Sequence, residues 1–178
     1  GECVSGQSVD ACRRERLCEP LDMPDTGFHF SARQAQRLPT LYTRRPGEAL
    51  QPNPQEMLSA VYFAGSGGLA ATAEDYLQFA QMLLNGGELN GNRYLGPRTV
   101  DLMVANHTGD MVNGQFGRPA RGMGFGLGME VVLDPVAAGL ARGGGAVRWQ
   151  GGAGGRFLGG AAGHGASGYK SPGGSGVP

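Results

Sequence analysis

The chain has 178 residues, and its 15 basic and 15 acidic side chains give a formal net charge of zero. A neutral chain lacks the positive charge that draws proteins to nucleic acid or to acidic membrane surfaces. It contains no apolar run approaching the roughly 20 residues that a membrane-spanning helix needs. We therefore expect neither nucleic acid nor a membrane as a partner, and the length fits one domain of ordinary size.

The cysteines and histidines indicate neither a disulfide framework nor a metal site. The number of cysteines is odd, and all of them lie within the first 18 residues: Cys3, Cys12 and Cys18. Their spacing matches no zinc motif, and we expect Cys12 and Cys18 to be small buried apolar side chains. The histidines are too scattered to suggest a metal site: His29, His107 and His164.

The first predicted element is a helix over Val9–Cys18. Ser8 is a good N-cap because its hydroxyl can accept a hydrogen bond from a free N–H of the first turn. Pro20 prevents the helix from continuing. The segment from Pro20 to Pro54 is rich in turn residues and is predicted to be a long irregular excursion.

A second helix is predicted over Ala73–Asn85. Thr72 is a natural N-cap, and Asp75 stands three residues on, as in a capping box with Asp in place of Glu. Asn85-Gly86-Gly87 ends the helix with residues that accept left-handed dihedral angles. Four side chains recur at helical spacing and predict the buried face: Tyr76, Phe79, Ala80 and Leu83.

A third helix is predicted to start with Pro97, because the missing N–H of proline costs nothing at the first helical position. Its predicted apolar face ends near His107, which we expect to close the C-terminus of the helix, where a cation is favoured. The other members of that face are Val100, Met103 and Val104.

Beyond Gly114 the apolar residues alternate with period two, which predicts strands. One half-buried strand is predicted from Gly124 to Leu133, with Phe125, Leu127, Met129, Val131 and Leu133 on its buried side. Val147–Trp149 and Arg156–Leu158 flank the sequence QGGAGG and predict a hairpin. Helices followed by antiparallel strands indicate the α+β class.

Several of these segments, in this order, resemble the serine beta-lactamase-like hydrolases, which include class C beta-lactamases, penicillin-binding proteins and family VIII esterases. The run from Val61 to Gly87 is similar to the family's SGGGL-x-ST-x-x-DY-x-x-F-x-x-MLL-x-GG stretch. Pro20–Phe28 resembles the family's PLGM-x-DT-x-F turn, and Leu95–Val100 resembles its LSPRTV helix start. Gly124–Met129 resembles its GFGLGF strand. The resemblance covers residues 1–158 and implies the C-terminal part of a catalytic domain with a partial beta-lactamase/transpeptidase-like fold.

The stretch from Gly159 to Pro178 consists almost entirely of Gly, Ala, Ser and Pro. Such a composition buries too little apolar surface to offset the entropy of ordering the backbone, so we expect a disordered tail. Ser167-Gly168-Tyr169-Lys170 in this stretch matches the Ser-x-x-Lys motif that holds the nucleophilic serine in the family. We expect no nucleophile there, because that motif requires a buried helix.

The resemblance implies a serine nucleophile from a Ser-x-x-Lys motif, supported by a Tyr-x-Asn motif. In the family both motifs precede the segment with which this chain begins, so we expect a fragment that lacks the nucleophile. Ser66, within Ala64-Gly65-Ser66-Gly67-Gly68, is a weaker candidate, a degenerate nucleophile elbow. In a nucleophile elbow the helix begins almost at the serine, whereas the N-cap residue of the predicted helix here is Thr72.

Trp149-Gln150-Gly151 falls where the family's third active-site motif lies, on the edge strand of the cleft, and is similar to the Trp-Gly-Gly variant of the esterases. Gln150 replaces a small residue there, which crowds the site. By family position the backbone N–H of Gly152 is an oxyanion donor, and glycine lets a substrate approach the main chain. An ordinary glycine-rich hairpin with a packed tryptophan is the alternative interpretation of these residues.

The resemblance therefore implies a serine hydrolase that needs no cofactor and acts on a small ester or lactam substrate. Trp149 stands where lactamases keep a lysine, which favours an esterase of short acyl esters. The other hypothesis is a non-catalytic product, either truncated or frame-shifted, or a binding scaffold.

Overall fold

The computed structural model describes residues 2–43, 45–53, 63, 65, 67–109, 111, 121–141, 144–150, 155–159 and 167–170. The chain divides into two compact units, one that ends at Gln78 and one from Phe79 to Lys170. Short helices and small antiparallel sheets make up both, which confirms the predicted α+β class. Within the described ranges, no helix is long and apolar enough to cross a membrane.

The first unit begins with α1 (Glu2–Ser5) and α2 (Val9–Arg13), and α2 continues directly into a π-helix (Arg14–Cys18). The predicted N-cap is confirmed, since the Ser8 hydroxyl accepts a hydrogen bond from the Ala11 N–H at 3.2 Å. The helix therefore has its predicted extent, but its second half has wider turns than expected. Its end enters the core of this unit, which contains Cys18, Leu21, Met23 and Phe28.

The excursion after Pro20 holds more regular structure than its composition predicts. A capping box between Ser31 and Gln34 starts α3 (Ala32–Ala35). Further on, β1 (Leu41–Thr43) pairs antiparallel with β2 (Gln51–Asn53). Elements of three or four residues are too short to produce a recognisable hydrophobic period, so the sequence could not indicate them.

Helix α4 (Ala73–Leu84) begins as predicted, because the Thr72 hydroxyl accepts a hydrogen bond from the Asp75 N–H at 3.2 Å. The Asp75 carboxylate does not close the capping box. It accepts hydrogen bonds from the backbone N–H of Asp25 at 2.8 Å and from the Thr26 hydroxyl at 2.7 Å. The side chain of Asp75 therefore joins the start of α4 to a turn far away in sequence.

The second unit contains the hairpin of β3 (Glu88–Leu89) and β4 (Asn92–Arg93), followed by α5 (Pro97–Val104). Pro97 occupies the first turn of α5 as predicted, and Val100 is buried. His107 lies beyond the end of the helix, and its Nε2 is 2.7 Å from the Leu102 carbonyl oxygen. Because a carbonyl can only accept, the imidazole donates this hydrogen bond and closes the helix C-terminus as predicted.

Five antiparallel strands form the sheet of this unit in the order β5-β6-β7-β8-β9. They are β5 (Met123–Phe125), β6 (Glu130–Val132), β7 (Val147–Gln150), β8 (Gly155–Gly159) and β9 (Ser167–Lys170). The pairing of β7 with β8 confirms the predicted hairpin around QGGAGG.

The single strand predicted from Gly124 to Leu133 is wrong, because this segment folds back on itself as the β5–β6 hairpin. The Gly126 N–H donates to the Met129 carbonyl at 2.8 Å, and Gly128 takes a φ of 91° that other residues rarely adopt. The turn exposes Leu127 and Leu133 by about half, although the alternation placed both on the buried side.

The glycines of this hairpin permit a close approach of the segment that follows α5. A Cβ on Gly126 would overlap the Met103 carbonyl oxygen, and one on Gly124 would overlap the Asn106 side chain. The Leu127 N–H donates to the same Met103 carbonyl at 2.9 Å. The alternating glycines are therefore required by packing between the hairpin and the C-terminal end of α5.

The composition of residues 159–178 predicts disorder, yet Ser167–Lys170 form β9 and pair with β8. Strand pairing uses backbone groups that every residue except proline carries, so a composition poor in apolar side chains does not prevent it. The remainder of this stretch after Gly159 lies outside the described residues.

Candidate functional site

Trp149 lies on β7, where its backbone pairs with Phe157 of β8. The resemblance places this motif on an edge strand, but β7 is the middle strand of the five that the structure describes. Trp149 is 39% exposed, so part of this residue is open to solvent. Its ring contacts Phe125 at a centroid distance of 6.2 Å, with the two planes at 70°.

The other members of the predicted motif continue from the end of this strand. Gln150 is the last residue of β7, and its backbone pairs with Arg156. Gly151 and Gly152 lie outside the described residues, so the oxyanion donor at Gly152 stays a prediction. The structure thus places Trp149 and the backbone of Gln150 on one strand.

An ion pair with a buried carboxylate joins β7 to β6 at the residue before Trp149. Arg148 precedes Trp149 and faces Glu130 across the β6–β7 pair, and its Nε donates to a Glu130 carboxylate oxygen. Glu130 is only 1% exposed, whereas the Arg148 side chain is 24% exposed. A carboxylate so buried requires a partner, which means that the pair fixes both the charge balance and the register of β6 against β7.

Sequence reasoning missed this ion pair, because the predicted single strand placed Glu130 on the solvent side. The ion pair could have been predicted from an acidic and a basic residue in facing positions on neighbouring strands. These positions become visible only once the β5–β6 hairpin and its register are known.

The rival serines gain no support as nucleophiles from the described structure. Ser167 and Lys170 lie in β9, so their backbone is extended and the two residues are not one helical turn apart. Ser66 lies outside the described residues. Ser167 therefore lacks the helical setting that a Ser-x-x-Lys nucleophile needs.

The perturbed titratable groups of the first unit serve its structure. Hydrogen bonds from Arg37 and from Gln34 lower the pKa of the Asp25 carboxyl below its ordinary value. Burial raises the pKa of the Cys18 thiol, which makes it a poor nucleophile. Cys18 is therefore a buried apolar side chain as predicted, whereas Cys12 is half-buried and Cys3 is exposed.

Comparison with known proteins places this geometry in a family. A family model described as Beta-lactamase matches residues 2–165. Protein Rv1367c of Mycobacterium tuberculosis (strain ATCC 25618 / H37Rv) is 38% identical over 127 residues, which is 68% of this chain and 32% of that protein.

Two solved structures share the fold. "EstCE1, a hydrolase with promiscuous acyltransferase activity" is 26% identical with a TM-score of 0.72, over 88% of this chain and 44% of that one. Simvastatin Synthase (LovD) from Aspergillus terreus is 19% identical, also with a TM-score of 0.72, over 89% of this chain and 43% of that one. The chain thus spans about a third of the curated relative and less than half of each solved structure.

Proposed function

Because the chain belongs to the beta-lactamase family of serine hydrolases, we propose that the protein containing it is a carboxylesterase that cleaves short acyl esters through a serine acyl-enzyme. We further propose that residues 1–158 are the C-terminal part of its catalytic domain, and that the nucleophile lies in a segment outside these 178 residues.

The exposed indole of Trp149 carries the preference for an ester. A lysine in this position would offer a cation to a substrate carboxylate, whereas an indole offers an apolar surface to a neutral acyl or alcohol group. The half-exposed ring is consistent with such a contact. The promiscuous acyltransferase activity of EstCE1 also agrees with acyl chemistry on this fold.

In the proposed reaction a serine hydroxyl attacks the ester carbonyl, and the bond to the alcohol oxygen then breaks. The negative oxygen of the tetrahedral intermediate accepts a hydrogen bond from the Gly152 N–H. The alcohol leaves with a proton, and water hydrolyses the acyl-enzyme to the acid and free serine. Gln150 borders the acyl pocket and Trp149 contacts the alcohol group, and the reaction consumes only ester and water.

The alternative proposal is a non-catalytic scaffold or a truncated or frame-shifted product. The strand conformation of Ser167–Lys170 favours it over catalysis by the chain alone, because this Ser-x-x-Lys lacks helical geometry.

Hydrolysis assays separate the two proposals. We would compare the 178-residue chain with a longer product of the same reading frame, using p-nitrophenyl acetate and nitrocefin as substrates. We expect the longer product to cleave the ester, the chain alone to cleave neither substrate, and Ser→Ala in the Ser-x-x-Lys motif of the longer product to abolish cleavage. Faster cleavage of nitrocefin than of the ester would contradict the esterase proposal, and inactivity of the longer product would favour the scaffold.

A further inference from the structure

The aromatic contact between Phe125 and Trp149 joins two strands that are not hydrogen-bonded neighbours. Phe125 ends β5 and Trp149 lies on β7, with β6 between them. Their centroid distance of 6.2 Å and interplanar angle of 70° are those of an edge-to-face pair. Phe125 is half-buried and Trp149 is more exposed, so the Phe125 ring is the more enclosed of the two and part of Trp149 is open to solvent.

Hydrogen bonds fix the backbone of Phe125 from the segment after α5. Its N–H donates to Asn106 Oδ1 at 3.3 Å, and its carbonyl accepts from the His107 N–H at 2.9 Å. On the other side of the contact, Trp149 follows Arg148, which the buried Glu130 holds in place. The Phe125 backbone is therefore held in place beside an indole that is partly exposed.

We propose that Phe125 is a positioning residue that fixes the orientation of the Trp149 indole, and that this aromatic pair selects esters with a flat aromatic alcohol group over esters with a puckered one. The proposal rests on the esterase function proposed above. A flat ring can stack on the indole with full contact, whereas a saturated ring of the same size cannot. An indole that rotates freely would lose this discrimination.

Fluorescence tests the positioning role directly, because Trp149 is the single tryptophan of the chain. In the 178-residue chain, Phe125→Leu should shift the emission to longer wavelength and increase quenching by acrylamide. Phe125→Tyr keeps an aromatic edge and should behave like the unaltered chain. Leu127→Ala, which truncates a half-exposed side chain of the same hairpin, is the matched control and should also leave the emission unchanged.

Unchanged emission and quenching in a folded Phe125→Leu variant would overturn the positioning role. If that variant does not fold, a second measurement on the unaltered chain decides. Nuclear Overhauser contacts between the Phe125 ring and the Trp149 indole are expected, and their absence would equally overturn the proposal.

Kinetics of the longer esterase test the selectivity. Benzyl acetate and cyclohexylmethyl acetate share the acyl group and have similar leaving groups, but only the first has a flat ring. One edge-to-face aromatic contact changes an equilibrium constant about two- to tenfold, here the constant between the fixed and the rotating indole. Phe125→Leu should therefore lower the benzyl to cyclohexylmethyl ratio of kcat/KM by about that factor, mainly through KM, and Phe125→Tyr should restore it.

An equal decrease in kcat/KM for both esters would overturn the proposed selectivity, because it would indicate a general structural defect. If the unaltered longer product cleaves neither ester, the proposed function itself fails. The fluorescence result then still decides whether Phe125 positions the indole.

Discussion

The Asp75 carboxylate accepts a hydrogen bond from the Thr26 hydroxyl at 2.7 Å, across 49 residues of sequence. The same oxygen accepts from the Asp25 N–H at 2.8 Å, and Asp75 is only 5% exposed. A buried charge that is satisfied by two donors holds the turn at Asp25–Thr26 against the first turn of α4. The likeness of both segments to family motifs thus has a structural reason, since each supplies one side of this contact.

Asp75→Ala should lower the free energy of unfolding by about 2–4 kcal/mol, because it leaves two partly buried donors without an acceptor and removes two charge-assisted hydrogen bonds. Urea denaturation followed by far-UV circular dichroism measures the loss. Glu74→Ala, at the exposed neighbouring position of the same helix turn, should change stability by less than about 0.5 kcal/mol. Equal effects of the two substitutions would contradict this role of Asp75.

Arg148→Ala should be strongly destabilising, by about 3 kcal/mol, because it leaves the buried Glu130 carboxylate without its partner. The double variant Glu130→Leu with Arg148→Met should recover most of that loss, since no unpaired charge stays buried. Glu88→Ala removes the exposed pair with Arg93 while the hydrogen bonds from Arg93 to the Gly86 and Leu95 carbonyls stay, and it is the control, with an expected loss below about 1 kcal/mol. The single variants Glu130→Leu and Arg148→Met complete a double-mutant cycle, and additive effects in it would show that the two side chains do not interact.

Gly126→Ala should destabilise the second unit by roughly 1–3 kcal/mol or more, because its Cβ would overlap the Met103 carbonyl oxygen. Gly144→Ala is the matched control, since a Cβ there would lie 3.6 Å from the Leu133 carbonyl oxygen, an ordinary contact. Thermal melting of both variants provides the comparison. A Gly126→Ala variant as stable as Gly144→Ala would mean that the hairpin does not approach α5 so closely.

Stability should depend on pH through Asp25. Hydrogen bonds from Arg37 and Gln34 keep the pKa of Asp25 below its ordinary value of 3.8 in the folded chain. The resulting stabilisation is fully present above 3.8 and is lost as the pH falls through the lower folded value. The difference in melting temperature between the unaltered chain and Asp25→Asn should therefore shrink between pH 5 and pH 2. In an Arg37→Gln background this difference in melting temperature should vary less over the same pH range. A difference that stays constant with pH in both backgrounds would contradict the link between stability and the ionisation of Asp25.

The helix starts could be predicted from sequence because their signals are local. Ser8 and Thr72 cap the turns that directly follow them, and Pro97 needs only its own missing N–H. The β7–β8 hairpin was also predictable, because two short strands flank a run of glycines. These features depend on residues a few positions apart.

The features that sequence could not predict depend on contacts between distant residues. The partners of Asp75 lie about 50 residues away, and the burial of Glu130 follows from a turn that the period-two pattern concealed. The candidate site shows the same division. Trp149 could be found from its motif, but its contact with Phe125 depends on the register of three strands.

Covalent labelling tests the central proposal, that the attacking serine of the proposed hydrolase lies outside the 178 residues. A fluorophosphonate probe that reacts with activated serines would be added to the 178-residue chain and to the longer product of its reading frame, and the adducts would be located by mass spectrometry. We predict one adduct on the serine of a Ser-x-x-Lys motif in the longer product and none on the chain alone. An adduct on a serine within the 178 residues, such as Ser66 or Ser167, would contradict the account.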